Sequence, residues 1–198
     1  MAANKANIVI LISGRGSNMM SIVDAVNDGT LDVNVTAIIS NRPDAAGLGF
    51  AQQQGIHNAV IDHKLYDTRE QFDQQLAKEI DQFSPDLVIL AGFMRILTAE
   101  FVEHFADRLI NIHPSLLPKF KGLNTHQRAI DAGEKEHGAS VHLVTPELDD
   151  GPVVLQARVP VLPSDDAATL AKRVLEQEHK LYPNAIKKLI TETTLRTA

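Results

Sequence analysis

The stretch NIVILISGRGSN, residues 7–18, combines the signal of a strand with a turn and the start of a helix. Residues 8–12 form an unbroken apolar run rich in Ile and Val, which is typical of a strand buried on both faces of a parallel sheet. Two glycines follow. The apolar residues within Asn18–Asn27 then recur at the spacing of one helix face, which predicts a helix there. A strand that leads through a short turn into a helix is the repeating unit of α/β folds, so this stretch predicts that class.

The same alternation continues through the first two-thirds of the chain. Helical spacing covers Asp67–Phe83, where Asp67 and Glu70 match a capping box, and Thr98 is placed to cap a short helix through Ala106. Alternating strands and helices predict a mostly parallel sheet flanked by helices, with right-handed connections. The further predicted strands are Val33–Ile39, Ala59–Ile61, Leu87–Ala91 and Leu109–Ile112.

The pattern changes after Gly138. The runs Ala139–Val144 and Val153–Val161 are joined by Thr145–Pro152, which predicts an antiparallel pair that extends the sheet. Helical periodicity then covers Asp165–Ile190, and Pro183 inside it predicts a kink or a division. There is no internal repeat and no linker composition, so we expect one domain over residues 1–198.

Composition and charge limit the classes of function. The 198 residues carry a net charge of −6 and contain no cysteine, which excludes disulfides, thiolate nucleophiles and zinc–thiolate sites. No dense basic run is present to bind nucleic-acid phosphates, and the apolar run at residues 8–12 is too short to span a membrane. We therefore expect a soluble, cytoplasmic protein that binds neither nucleic acid nor membranes.

The first candidate site is the turn SGRGSN, residues 13–18. Glycines allow close approach of the backbone to a ligand, and N–H groups at the start of a helix favour an anion. The third glycine of a dinucleotide fingerprint would fall at Met19, and the lysine of an NTP-binding loop is missing. The turn therefore indicates either a phosphate monoester site or simply a tight connection from strand to helix.

The second candidate is NIHPSLLP, residues 111–118, at the carboxyl end of a predicted central strand. Alternation along the strand puts Asn111 and His113 on one face, where an amide and an imidazole can bind an oxyanion and transfer protons. The alternative is a polar pair that ends the strand.

A third segment, PELDDGP at residues 146–152, is either a solvated turn or the source of a carboxylate that orients His113.

Two other chemistries have weaker support. The eight histidines include no H-E-x-x-H, and neither His137/His142 nor His113/His126 has a spacing that forces a shared metal ion. Ser115 and Ser140 lie close in sequence to histidines, but the G-x-S-x-G of a serine hydrolase is absent. Because no histidine spacing indicates a metal site, we expect that the protein binds no metal ion.

Several stretches together resemble the phosphoribosylglycinamide formyltransferases, a family of enzymes that use formyl-tetrahydrofolate. NIHPSLLP followed by ELD-x-GP is specific to formyl-tetrahydrofolate enzymes as a group. Within that group, the short chain and the candidate phosphate loop near its amino terminus resemble the phosphoribosylglycinamide formyltransferases. The resemblance extends from residue 7 to about residue 190. The matching stretches are ISGRGSN, ISNRPDA, DLVILAGFMRIL, LINIHPSLLPKF, HGASVHLVTPELDDGPVVLQ and QEHKLYP.

The resemblance implies a Rossmann-like core and transfer of a formyl group from 10-formyltetrahydrofolate to the amine of glycinamide ribonucleotide, a step of purine (IMP) synthesis. It implies catalytic roles for Asn111, His113 and Asp149, and metal-free chemistry. It places the ribonucleotide at Gly16, Ser17, Asn18, Leu175, Glu176, Gln177 and Glu178. It places the folate at Arg69, Met94, Arg95, Ile96, Leu97, Asn111, Thr145, Pro146, Glu147, Leu148 and Asp149.

Three residues depart from the family's pattern. Asn124 replaces a common histidine, Lys121 replaces a proline and Pro146 replaces an aspartate. Two rival functions remain open at this point. A formyl-tetrahydrofolate hydrolase would share the catalytic residues but use water as acceptor, and a non-catalytic folate- or nucleotide-binding module would not need them. A homodimer is compatible with the sequence.

Overall fold

The computed structural model describes residues 5–197, with side chains described for residues 5–192. These residues divide into two compact units, one ending at Ile110 and the other beginning at Asn111. No helix in this described part is long and apolar enough to cross a membrane. The single domain over residues 1–198 stays a prediction.

The first unit is built around β1 (Ala6–Ile12). This strand pairs in parallel with β2 (Val33–Ser40) on one side and with β4 (Leu87–Leu90) on the other, and β2 pairs in parallel with β3 (Asn58–Val60). Residues 8–12 and 87–90 are buried throughout, which explains why their sequences are continuous apolar runs and do not alternate. The helices of this unit are α1 (Ser17–Asn27), α2 (Gly47–Gln53), α3 (Arg69–Asp81) and α4 (Ala99–His104).

The second unit contains the antiparallel part of the fold. β6 (Glu136–Leu143) and β7 (Val153–Pro160) form the predicted antiparallel pair, and the unit also contains α5 (Thr125–Asp131) and the long α6 (Ala167–Thr197). β5 (Leu109–His113) begins at the end of the first unit and finishes in the second. The strands are hydrogen-bonded in the order β3-β2-β1-β4-β5-β6-β7, so the predicted α/β class with an antiparallel carboxyl-terminal extension is confirmed.

The predicted capping box at Asp67 and Glu70 is wrong. The amino-terminal cap of α3 is Thr68, whose hydroxyl accepts from the Gln71 N–H at 3.2 Å, and not Asp67 with Glu70. The backbone N–H of Asp67 instead donates to the Gln71 side chain at 3.2 Å, so the capping pair lies one residue later. The Thr98 cap of α4 is confirmed by its bond from the Phe101 N–H.

Pro183 does not divide the last helix, which is continuous over Ala167–Thr197. A proline inside a helix removes one backbone hydrogen bond and crowds the preceding turn. Here Tyr182 is fully buried on one side of the proline, and Ala185 and Ile186 are fully buried on the other. Burial of apolar surface on both sides offsets the missing bond, so the helix continues.

A pair of histidines is buried in the second unit. His137 is 1% exposed, and its Nε2 lies 3.1 Å from Nδ1 of His126. Burial lowers the pKa of His137 to about 4, and the nearby charge of His126 acts in the same direction. Burial also lowers the pKa of His126. Both rings therefore resist protonation in the folded chain more than in the unfolded chain.

We expect acid to destabilise the protein through His137. Its pKa is lower in the folded state than the ordinary 6.5, so the unfolded chain binds more protons between about pH 6.5 and pH 4. The free energy of unfolding should be fully retained above pH 6.5 and should fall by about 1–3 kcal/mol across that window. Urea unfolding at several pH values measures this. His137→Asn should flatten the slope and exposed His57→Asn should not, and equal slopes in both variants would contradict the assignment.

Candidate active site

The turn after β1 forms one side of a cavity in the first unit. Gly16 has φ +71° and ends the turn at the amino terminus of α1, where no side chain caps the helix. No side-chain cap therefore competes with an anion at the amino terminus of α1, and the phosphate site stays a prediction. The cavity has a volume of about 490 Å³, and its lining includes Gly16, Ser17 and Asn18. The lining also includes Arg15, Arg42, Arg95 and His63, and it contains no carboxylate among the described residues.

A second wall of the same cavity comes from the segment that follows β4. Of the residues predicted to bind folate in this unit, Met94 and Arg95 line the cavity. Met94 is 72% exposed and Ile96 is 60% exposed, which is unusual for apolar side chains on a short connection. Arg69 is exposed at the first position of α3. The sequence identified this segment but not the cavity, because cavities depend on how distant residues pack.

The second unit brings together the three residues predicted to be catalytic. Nδ1 of His113 lies 3.3 Å from Oδ2 of Asp149, and both side chains are 7% exposed. Nε2 of His113 lies 2.9 Å from the carbonyl oxygen of Phe120. An oxygen atom therefore lies close to each ring nitrogen, and together the two oxygens restrict the orientation of the ring. Asp149 is thus placed to orient His113 and to balance a positive charge on it when one forms.

His142, a residue that the sequence did not predict for the site, joins Asn111 to this pair. Its Nδ1 donates to the Leu143 carbonyl oxygen at 2.8 Å, and burial lowers its pKa, so the ring is neutral at pH 7 with a lone pair on Nε2. Nδ2 of Asn111 lies 3.4 Å from that Nε2. His142 therefore fixes which end of the Asn111 amide points inward, and it leaves the second amide hydrogen available.

The loop that carries Asp149 is held in an uncommon conformation. Asp149 has φ +51°, in the left-handed region, and its Oδ2 accepts from the Gly122 N–H at 2.9 Å. The neighbouring Asp150 pairs with Lys121, one of the departures from the family's pattern. A non-glycine residue with positive φ costs free energy and persists only where its surroundings hold it. These contacts keep the carboxylate of Asp149 beside His113.

Asn124, another departure, has a clear structural position. It precedes the first residue of α5 with φ +56° and makes no side-chain capping bond. Asparagine adopts the left-handed region more readily than most residues, which explains how the chain accommodates it at this turn. Pro146, the third departure, is exposed on the loop between β6 and β7.

The other predicted residues of the second unit have different environments. Thr145 is half-buried, whereas Pro146, Glu147 and Leu148 are exposed on the loop that leads to Asp149. On α6, Glu178 is buried at 8% exposure and lies near the buried Tyr182, while Leu175 and Gln177 are half-buried and Glu176 is exposed. Burial, followed by the charge of Glu178, raises the pKa of Tyr182 well above its usual value. Among residues 5–197 no group of three or more His, Asp or Glu is arranged to hold a metal ion, and metal independence stays a prediction.

We expect His142 to affect turnover through the orientation of Asn111. His142→Ala removes the acceptor at 3.4 Å from the amide and should lower kcat by about 10-fold, because small misplacements of a reacting group are costly. The KM values of both substrates should change much less. His142→Gln retains a side-chain acceptor and should recover part of the loss. Steady-state kinetics of the two variants measure this, and equal activity of His142→Ala and the parent would remove His142 from the site.

A strand of an α/β sheet that ends in an asparagine and a histidine beside a buried aspartate carries groups that group-transfer enzymes use. Comparison with known proteins identifies the class of enzyme. The family model described as formyl transferase matches residues 6–186. The chain belongs to the formyl transferase family.

Individual relatives are similar over most of the chain. The phosphoribosylglycinamide formyltransferase of Escherichia coli (strain K12) is 52% identical over 180 residues, which are 91% of this chain and 85% of the relative. The protein of the same name from Haemophilus influenzae is 45% identical over 96% of this chain and 89% of its own length. The solved structure of the phosphoribosylglycinamide formyltransferase of Coxiella burnetii has a TM-score of 0.89 and 49% identity, covering 93% of this chain and 86% of that one.

Proposed function

We propose that this chain transfers the formyl group of 10-formyltetrahydrofolate to the amine of glycinamide ribonucleotide, giving formylglycinamide ribonucleotide and tetrahydrofolate in purine synthesis. The observation that carries the proposal is the cluster of Asn111, His113, Asp149 and His142, which has the groups that acyl transfer requires. The identity of 52% to a phosphoribosylglycinamide formyltransferase supports the same reaction.

The chemistry starts with attack of a neutral amine on the formyl carbon, which forms a tetrahedral oxyanion. In the proposal, the free amide hydrogen of Asn111 and an N–H of His113 donate to that oxygen. Both nitrogens of His113 already have partners, so the Nε2–H must move from the Phe120 carbonyl to the oxyanion while Nδ1 stays with Asp149. The carboxylate then stabilises the imidazolium throughout the step.

Collapse of the intermediate requires a proton on the departing folate nitrogen. The attacking amine becomes positively charged and has a proton to lose, and Asp149 can carry it directly or through a water molecule. In the proposal Glu178 lies near the amine.

Donors already in place can lower the barrier by several kcal/mol, so the mechanism needs no metal ion. The rate should survive dialysis against a chelator.

The residues proposed to bind the two substrates are those that the family resemblance implies. The N–H groups of Gly16, Ser17 and Asn18 bind the ribonucleotide phosphate, and the arginines of the cavity favour its negative charge. Leu175–Glu178 borders the same substrate. Arg69, Met94–Leu97 and Thr145–Asp149 are proposed to bind the folate, with the exposed Met94 and Ile96 against its flat ring. We further propose that the enzyme acts in the cytoplasm and binds neither nucleic acid nor membranes, and a homodimer is compatible with the sequence.

Dependence of folate release on the ribonucleotide tests the proposal. Absorbance reports formation of tetrahydrofolate from 10-formyltetrahydrofolate, and we expect turnover only when glycinamide ribonucleotide is present. Equal turnover without the ribonucleotide would indicate a hydrolase, and no turnover in either case would indicate a binding module. The cavity rich in arginine favours a phosphorylated acceptor over water.

A further inference from the structure

Two buried side chains anchor the ends of one partly exposed segment in the first unit. The 94–98 segment, Met94–Thr98, connects the turn after β4 to α4. At its start the backbone N–H of Met94 donates to Oγ of Ser13 at 2.8 Å. At its end the backbone N–H of Thr98 donates to Oδ2 of Asp73 at 2.6 Å. Both anchors come from parts of the chain that are distant in sequence.

The first anchor has a fixed orientation. Ser13 is 5% exposed, and its hydroxyl donates its only hydrogen to Oδ1 of Asn41 at 2.6 Å. A lone pair therefore remains for the Met94 N–H. Asn41 is itself 2% exposed, and its carbonyl oxygen lies 2.8 Å from Nδ1 of His63. The hydroxyl is thus part of a buried network in which each group has a partner, which restricts it to one orientation.

The second anchor is a buried carboxylate. Asp73 is 2% exposed, and burial raises its pKa, while the bond from Thr98 and the charges of Arg95 and Arg69 act in the opposite direction. Thr98 in turn caps α4 through its own side chain. Arg95 also lies over the ring of Phe72, with 4.7 Å from Cζ to the ring centre. Asp73 therefore holds the end of the 94–98 segment and attracts an arginine within it.

Between the anchors the segment presents apolar side chains to solvent. Met94 and Ile96 would normally turn inward on a free connection, because exposure of apolar surface is unfavourable. Anchoring at both ends prevents that rearrangement. A surface held in its binding conformation loses less conformational freedom when a ligand arrives, so it binds more tightly.

We propose that Ser13 and Asp73 are positioning residues that hold the 94–98 segment as a preformed surface for the flat ring of the folate. The inference rests on the proposed function, since it takes the folate as the ligand of this segment. Neither side chain needs to contact the folate. Their contribution comes from the backbone hydrogen bonds at Met94 and Thr98.

Calorimetric titration with tetrahydrofolate and steady-state kinetics test this role. Ser13→Ala should weaken tetrahydrofolate binding by about 5- to 10-fold, the scale of one lost hydrogen bond, while the KM of the ribonucleotide changes less than about 2-fold. Thr36→Val is a control. Thr36 lies on neighbouring β2 and its hydroxyl also bonds to a distant backbone group, the Ile8 carbonyl oxygen, but it neither lines the cavity nor bonds to the 94–98 segment. The variant should bind the folate like the parent protein.

The second anchor provides an independent pair of variants. Asp73→Ala removes the acceptor at Thr98 and should also weaken folate binding, whereas Asp73→Asn retains a carbonyl acceptor and should bind more tightly than Asp73→Ala. Hydrogen exchange of the Met94 and Thr98 amides, measured without ligand, should be about 10-fold or more faster in the alanine variants.

The outcomes separate this inference from the proposed function. If the parent protein binds no tetrahydrofolate, the proposed function fails. If the Met94 and Thr98 amides exchange at the same rate in the parent and in the alanine variants, the anchoring is wrong as well. If the parent binds it and the alanine variants bind equally well, the positioning role is wrong. If Ser13→Ala does not fold by circular dichroism, the Asp73 pair decides, and equal affinity of Asp73→Ala and Asp73→Asn contradicts the inference.

Discussion

Replacing Asp149 by asparagine is expected to lower kcat by about 100-fold or more, the scale of one lost acid–base group. Asparagine has nearly the same shape and can still accept from the Gly122 N–H, so the loop should keep its conformation. It cannot balance the charge of His113 at 3.3 Å or carry a proton. The ribonucleotide KM should change little, because the phosphate is proposed to bind at the turn after β1 and not at Asp149.

The double variant with His113→Ala tests whether the two residues act together. Groups that act as a unit give losses that do not multiply, since removing either one removes most of the joint effect. The double variant should therefore be much more active than the product of the two single losses. Steady-state kcat of all three variants measures this, with Asp131→Asn, the same change at an exposed carboxylate of α5, as control. Fully multiplicative losses would show that His113 and Asp149 act independently.

Replacing Gly16 by valine is expected to raise the KM of the ribonucleotide by about 10-fold or more. Gly16 has φ +71°, which a β-branched residue adopts only with strain, and an added Cβ would lie 2.9 Å from Cε of Met19. The flexible end of Met19 can give way, so the backbone strain at this φ is what disturbs the alignment of the N–H groups at the start of α1. Binding of tetrahydrofolate should remain, because Gly16 has no proposed contact with the folate and Ser13, which lies before the strained position, keeps its bonds to Asn41 and Met94.

Gly29→Val separates this effect from general destabilisation. Gly29 has φ +80° and lies just after the other end of α1, but an added Cβ would meet nothing within 4 Å. Both variants strain the backbone at a similar φ, and only Gly16→Val alters the anion site. Substrate kinetics and thermal unfolding of the pair measure this. Equal rises in the KM of the ribonucleotide in both variants, or equal loss of both ligands in Gly16→Val, would contradict a dedicated phosphate loop.

Much of the fold follows from the sequence because strands buried on both faces leave a strong signal. The runs at residues 8–12 and 87–90 are strands, and the change of pattern after Gly138 marks the antiparallel pair. The short helices α2 and α5 were not predicted, since seven residues give too little periodicity. The continuity of α6 at Pro183 depends on burial around it, which a local rule does not include.

The candidate site was predictable to the extent that its residues lie at strand ends. Asn111 and His113 share a face of β5 as alternation requires, and Asp149 meets His113 although 36 residues separate them in the sequence. His142 lies in the predicted strand β6, but the sequence does not distinguish it from the other seven histidines. Its role becomes visible only when the folded chain places it beside Asn111. The anchors Ser13 and Asp73 leave no pattern, because each acts through a hydrogen bond to a distant backbone N–H.

The fate of the formyl carbon tests the central claim most directly. With 10-formyltetrahydrofolate labelled with ¹³C in the formyl group and one equivalent of glycinamide ribonucleotide, NMR shows where the label goes. The account predicts that it appears in a new formamide on the ribonucleotide, in a 1:1 ratio with tetrahydrofolate, and that Asp149→Asn slows this transfer by about 100-fold. Label recovered as free formate, or label that stays on the folate, would contradict it.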